Sequence, residues 1–166
     1  MSKNELRVKI KEKLKSEHVY VNRSHKKISE NLKTLIQNLV SEKFNGRKFL
    51  IGGYSPILSE PIWFDQFSGD ECDFSMVHMH EEIQLSYHLV NFLELKGYQE
   101  KLKLDDHRLK SEVQPDLILV PGLAFTKKFD RLGRGKAYFD NFMKNYKGLK
   151  VGLFFDLQEV ESTYSE

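Results

Sequence analysis

PDLILVPGLAFTKKFDRLGRGKAYFDNFMKNY, Pro115 to Tyr146, is the stretch that decides the fold. Leu117, Ile118, Leu119 and Val120 form an unbroken apolar run, which suits a central strand covered on both faces rather than an edge strand facing water. Pro121 and Gly122 end that strand. After a link from Thr126 to Asp130 comes Arg131-Leu132-Gly133-Arg134-Gly135-Lys136. Its two glycines remove side chains so that backbone N–H groups approach a ligand closely, and its three cations crowd the same few residues. Phe139, Phe142, Met143 and Tyr146 follow at helical spacing. The loop is therefore expected to feed a helix whose N-terminus carries partial positive charge, which outlines a phosphate site.

Working outward, Leu6, Ile10 and Leu14 recur every fourth residue in a lysine-rich segment and predict an N-terminal helix with one narrow apolar stripe. Lys3 and Arg7 share another face, where two cations repel by roughly a few tenths of a kcal/mol. On charge alone the pair reads as solvated surface; an anion held between them is the sharper reading. Ile28, Leu32, Leu35, Ile36 and Leu39 predict a second helix, with Ser24 as a candidate cap and Phe44-Asn45-Gly46 closing it. Lys48 to Tyr54 reads as a strand in which Gly52 and Gly53 allow close packing. Glu60-Pro61 is expected to open a short aromatic helix containing Trp63, Phe64 and Phe67, leaving Glu60 near a helix start.

Cys72 to Met79 and Gln84 to Val90 read as strands. His78 and His80, with His88 and Cys72, raise a transition-metal reading, but they form no closed ligand set at a zinc-motif spacing, and solvent-facing strand histidines account for them. Lys101 to Gln114 is expected to be a surface connection, and Lys150 to Phe155 one more strand. There is no internal repeat and no low-complexity tract. Strands alternating with helices favour an α/β fold, a three-layer α/β/α sandwich with a mainly parallel central sheet and ligands beyond the carboxyl ends of the strands.

The length of 166 residues suits one domain, and the formal net charge of +2 implies no general polyanion binder; a nucleic-acid binder ranks last among the readings. Twelve phenylalanines furnish a core. The lone Cys72 makes no intramolecular disulfide and no cleavable apolar segment follows the N-terminus, so a reducing cytoplasm is expected. The longest apolar run, Leu117 to Phe125, is far below the roughly 20 residues that span a membrane.

PDLILVPGLAF followed by RLGRGKAYFD resembles the signature of the 5-formyltetrahydrofolate cyclo-ligase family, also called methenyltetrahydrofolate synthetase. Strand, Pro-Gly, Arg-x-Gly-Arg-Gly-Lys and aromatic-Asp in this order form a long combined pattern. Lys3-Asn4-Glu5-Leu6-Arg7 is similar to the family's N-terminal Lys-x-x-Leu-Arg element, and Tyr54-x-Pro56-x-x-x-Glu60 to its folate-contacting segment. Gly97-Tyr98-Gln99-Glu100 is faintly similar to a third segment, with Lys101 in place of proline. The family pattern has glycine where this chain has Phe129 and Ala137, and Asp where it has Thr126. Ala137 adds a methyl at a close-approach position and disfavours positive φ, so it is tolerated only if that residue is already helical. Relatives continue through a Pro-x-x-x-His-Asp segment, where this sequence ends at Glu166.

The resemblance implies ATP-dependent conversion of 5-formyltetrahydrofolate to 5,10-methenyltetrahydrofolate, with ATP as co-substrate and Mg²⁺. It implies ATP contacts from Lys3, Arg7, Arg131, Leu132, Gly133, Arg134, Gly135, Lys136 and Tyr138, with Arg131 and Lys136 catalytic. Glu60 would contact the folate and Asp140 would hold Mg²⁺. Lys136 and Asp140 also read as a simple i,i+4 surface ion pair. A monomer without nucleic-acid or membrane partners is expected. The rival readings are a folate- or nucleotide-binding regulator that has lost turnover, and a sugar-phosphate or acyl-transfer enzyme using the same loop.

Overall fold

The computed structural model describes residues 1–43, 48–57, 59–70, 72–97 and 111–162. The expected stop at Phe44-Asn45-Gly46, the segment from Tyr98 through most of the Lys101 to Gln114 connection, and the last four residues lie outside them. In chain order the elements are α1 (Lys3–Ser16), α2 (His18–Lys43), β1 (Leu50–Gly53), β2 (Asp73–Met79), β3 (Leu85–Val90), α3 (Phe92–Gly97), β4 (Glu112–Val113), β5 (Leu117–Val120), β6 (Ala124–Phe125), β7 (Arg131–Leu132), α4 (Tyr138–Asn145) and β8 (Leu149–Gly152), followed by a 3₁₀ turn, Asp156–Gln158.

Six strands form one sheet in the order β4-β3-β2-β1-β5-β8. β1 runs parallel to both β2 and β5, and β5 parallel to β8. β2, β3 and β4 pair antiparallel. The α/β fold with a mainly parallel sheet is thus as the sequence predicts. All four residues of β5 are buried, as an unbroken apolar run requires.

Each face of the sheet takes a different cover. Ile51 lies beside Phe74 on β2, and Phe74 packs on Trp63 and Phe67. A side chain at Gly53 would overlap the Trp63 indole, so this glycine makes room for the largest core residue. On the other face a side chain at Gly52 would meet Tyr87, whose ring packs edge-on against Phe142 of α4.

Two expectations are corrected. Helix α2 begins at His18, so Ser24 lies inside it and donates to the Tyr20 carbonyl at 2.8 Å rather than capping. No breaker separates Ser16 from Ser24, and Val21 extends the buried stripe upstream. Residues 61–67 form no helix. Their backbone groups bond outward instead: Ile62 N–H donates to His25 Nδ1 (3.0 Å), the Trp63 carbonyl accepts from Ser29 Oγ (2.7 Å), and the Tyr54 hydroxyl donates to the Pro61 carbonyl (3.0 Å). Trp63, Phe64 and Phe67 fill the core from this irregular segment.

β6 and β7 make a separate small hairpin. Leu123, Ala124 and Leu132 from it, together with Phe155, pack on the α1 stripe of Leu6, Ile10 and Leu14 in a second core. The stripe is narrow because its target is only a two-stranded ribbon. Gln158, fully buried, ties the hairpin down by donating to the Gly122 and Leu123 carbonyls at 2.9 and 3.0 Å.

Candidate functional site

The basic glycine loop leaves β7 and enters α4, as the sequence predicts. Ala137 precedes the helix at φ 56°, ψ 8°, in the left-handed region, with no side-chain cap. The condition under which alanine is easily tolerated here, a helical backbone, is thus not met: the chain must reverse between Gly135, itself at φ 102°, and Tyr138. The amides of the first turn of α4 are left without an intrahelical acceptor, which suits an anion. Phe129, the other residue standing where the resembled pattern has glycine, also has positive φ, 67°, and its side chain is 96% exposed. Thr126 closes this tip: its hydroxyl accepts from the Lys128 and Asp130 amides, each at 3.2 Å, and donates to the Asp130 carboxylate at 3.1 Å. An acceptor side chain is what the turn needs, so threonine serves there as an aspartate would.

Four cationic residues stand at the loop. Arg7 Nε donates to the Gly133 carbonyl at 3.0 Å across 126 residues, and its Nη1 donates to Asn4 at 2.6 Å. An added Cβ on Gly135 would come within 3.6 Å of the Arg7 guanidinium, so a side chain there would lie against Arg7. Arg131 donates to the Pro121 carbonyl at 2.8 Å and pairs with Asp140, while Phe139 lies beneath its guanidinium. Its buried Nε has no partner among the described residues. Arg134 pairs with Glu60 at 2.9 Å and donates to Ser59 Oγ at 2.7 Å. Lys136 is exposed and makes no ion pair among the described residues.

Asp140 therefore pairs with Arg131 and not with Lys136, so the i,i+4 reading is set aside. Glu60 is 6% exposed and follows no helix start; it is held by Arg134 and by the Ile57 amide at 3.2 Å. Below it, burial first and the Glu60 charge second raise the Tyr54 phenol well above its ordinary value, keeping it a neutral donor. Leu132 is buried in the second core, so its side chain is structural and only its backbone faces the loop. Tyr138 packs partly buried against the main core, and Lys3 is exposed at the start of α1. Arg7 and Glu60 thus converge on the loop with Arg131, Arg134 and Lys136.

Asn4 and Ser59 were not foreseen. Asn4 lies three residues before Arg7, a spacing that helical geometry makes legible. Ser59 sits in an irregular turn with no periodic signal.

For Mg²⁺ the donor set is a single exposed carboxylate, Asp140. Mg²⁺ at nucleotides takes most of its ligands from phosphates and water, so one carboxylate suits it, although Arg131 now competes for that group. Among the described residues no group of three His, Cys, Asp or Glu side chains converges on a possible metal position. His80 and His88 instead share the Ser86 hydroxyl, at 2.8 Å each. His88 is buried, which corrects its reading as solvent-facing. No helix among the described residues is long and apolar enough to cross a membrane.

A family model described as the 5-formyltetrahydrofolate cyclo-ligase family matches residues 65–165. A probable 5-formyltetrahydrofolate cyclo-ligase of Schizosaccharomyces pombe is 46% identical over 39 residues, which is 24% of this chain and 19% of that relative. The chain is thus matched over only about a fifth of that curated relative's length. The solved 5,10-methenyltetrahydrofolate synthetase of Aquifex aeolicus aligns over 98% of this chain and 82% of its own, with TM-score 0.63 and 27% identity. That of Mycoplasma pneumoniae aligns over 98% and 90%, with TM-score 0.71 and 21% identity, a likeness of fold.

Proposed function

The chain belongs to the 5-formyltetrahydrofolate cyclo-ligase family, and on that premise we propose that it converts 5-formyltetrahydrofolate to 5,10-methenyltetrahydrofolate while splitting ATP to ADP and phosphate. The observation that carries this reading is the arrival of Arg7, from the other end of the chain, at the carbonyl of Gly133. A surface cation has no reason to be held there; a phosphate cradle does.

The chemistry accounts for the residue types. The formyl oxygen is a poor leaving group until the γ-phosphoryl group is transferred to it; N10 then attacks the activated carbon, phosphate departs and the ring closes. Phosphoryl transfer asks for positioning and charge stabilisation more than for a nucleophilic side chain. Arg131 and Arg134 hold phosphate oxygens through their planar N–H forks, and Lys136 neutralises developing charge. Gly133 and Gly135 expose backbone donors, and Arg7, Lys3, Leu132 and Tyr138 complete the nucleotide side. Glu60 keeps lone pairs for the N–H donors of a reduced pterin. Asp140, once released by Arg131, would hold Mg²⁺, which neutralises phosphate charge. We place the activity on a single-domain monomer in the cytoplasm, in keeping with the lone Cys72.

The alternative, a binding protein without turnover, draws on Asp140 being already engaged by Arg131. Near-ultraviolet absorbance during incubation with 5-formyltetrahydrofolate and MgATP separates the two. Methenyl product that requires ATP and disappears in Lys136→Ala is the expected result. Ligand binding without product supports the alternative, and no binding of either ligand removes both readings.

A further inference from the structure

Ser59 and Glu60 share one guanidinium. Arg134 Nε donates to Glu60 Oε1 at 2.9 Å and Nη2 donates to Ser59 Oγ at 2.7 Å, which takes up the Nε/Nη2 edge of the fork. Glu60 is fixed in turn, its other oxygen accepting the Ile57 amide at 3.2 Å. The Glu60 side chain is 7% exposed and that of Arg134 29%, so the clasp is shielded while part of the guanidinium meets solvent. Guanidinium has five N–H donors in a rigid plane. Holding one edge leaves the Nη1/Nη2 edge without a partner among the described residues and fixes the plane in which it lies.

We infer that Ser59 and Glu60 are positioning residues for Arg134: they hold one edge of its guanidinium so that the opposite edge is presented, pre-oriented, to a phosphate oxygen pair. This rests on the phosphate-site reading above and adds Ser59 to it. Both residues lie on the loop after β1, whereas Arg134 lies on the glycine loop 74 residues later. The loop that would meet folate thereby aims the residue that would meet phosphate. Ion pairing alone leaves a long side chain free to rotate, but two acceptors on one edge remove that freedom before the ligand arrives.

The test uses Ser59→Ala, which removes one acceptor without altering any charge, with Ser59→Thr as the hydroxyl-restoring variant. Titration calorimetry with a non-hydrolysable ATP analogue and Mg²⁺ reads Kd, and thermal unfolding reads integrity. Ser59→Ala is expected to weaken nucleotide binding about threefold to tenfold with an unchanged Tm, the size of one ordinary net hydrogen bond. Ser59→Thr is expected to restore it, and 5-formyltetrahydrofolate affinity is expected to stay the same. Glu60→Gln is expected to weaken the nucleotide further. An unchanged nucleotide Kd in Ser59→Ala, or tighter binding in Glu60→Gln because Arg134 has been released, overturns the inference while leaving the phosphate site standing. A wild-type chain that binds no nucleotide overturns the site and the inference together.

Discussion

Ala137 and Phe129 both carry a side chain in left-handed backbone, at φ 56° and 67°. Such a conformation costs an L-residue roughly 1–2 kcal/mol relative to glycine, partly offset by the greater freedom glycine has when unfolded. Ala137→Gly and Phe129→Gly are each expected to raise stability by about 0.5–1 kcal/mol, read as a higher urea midpoint at unchanged slope. A lower midpoint in either would show that the side chain has a compensating contact. Phe129 is nearly fully exposed, so its replacement removes little burial. At this scale the sequence is legible in its charges and blind in its dihedrals. Arg131, Arg134 and Lys136 stand out by type and spacing as the cations of the proposed phosphate site, but nothing in an alanine says which way its backbone turns. The partners of the charges are equally hidden: Asp140 pairs with Arg131, nine residues away, and not with Lys136, which lies before the helix begins.

Helix α1 owes its place to three side chains. Leu6, Ile10 and Leu14 are 3–5% exposed and bury themselves on the β6–β7 hairpin and Phe155. Ile10→Ala is expected to cost about 2–4 kcal/mol. It should also weaken nucleotide binding without touching any cation, because Arg7 rides on the loosened helix one turn away. Calorimetry on the folded variant checks this; full stability with full affinity would show that the stripe does not position Arg7. The stripe itself was plain from its period of four, yet its target was not, since strands of two residues such as β6 and β7 leave no periodic trace. The aromatic segment after Pro61 failed for the converse reason. Its residue types suit a helix, but His25 and Ser29 of α2 claim its backbone groups first. Tertiary bonds overrode local propensity there.

For the whole molecule, the buried run at Leu117–Val120 was enough to set the sheet class, and alternation of elements gave the layers. The antiparallel edge made by β3 and β4 was not foreseen, because β4 contributes two residues from a polar stretch. One joint between layers makes stability depend on pH. His25 accepts the Ile62 amide through Nδ1 and is kept below its ordinary value by burial, with Asp65 acting weakly the other way. A histidine whose folded value is depressed takes up its proton more readily when unfolded. Its stabilising share is complete above the unfolded value of ~6.5 and is lost as pH falls below it. Tm is therefore expected to drop between pH 7.5 and 5.5, and less so in His25→Gln, which retains an acceptor but does not titrate. Identical profiles in the two proteins would rule out His25 as the source.

The bond from Arg7 to Gly133 also sets an order of events during synthesis. Helix α1 leaves the ribosome before the hairpin it covers, and the carbonyl that Arg7 reaches arrives 126 residues after Arg7. Until then its apolar stripe has only Val21 and Ile28 of α2 to pack against. Closure of so long a loop comes late and slows folding. The proposed nucleotide cradle is consequently expected among the last parts to form, so that a chain able to grip phosphate would already have completed its fold.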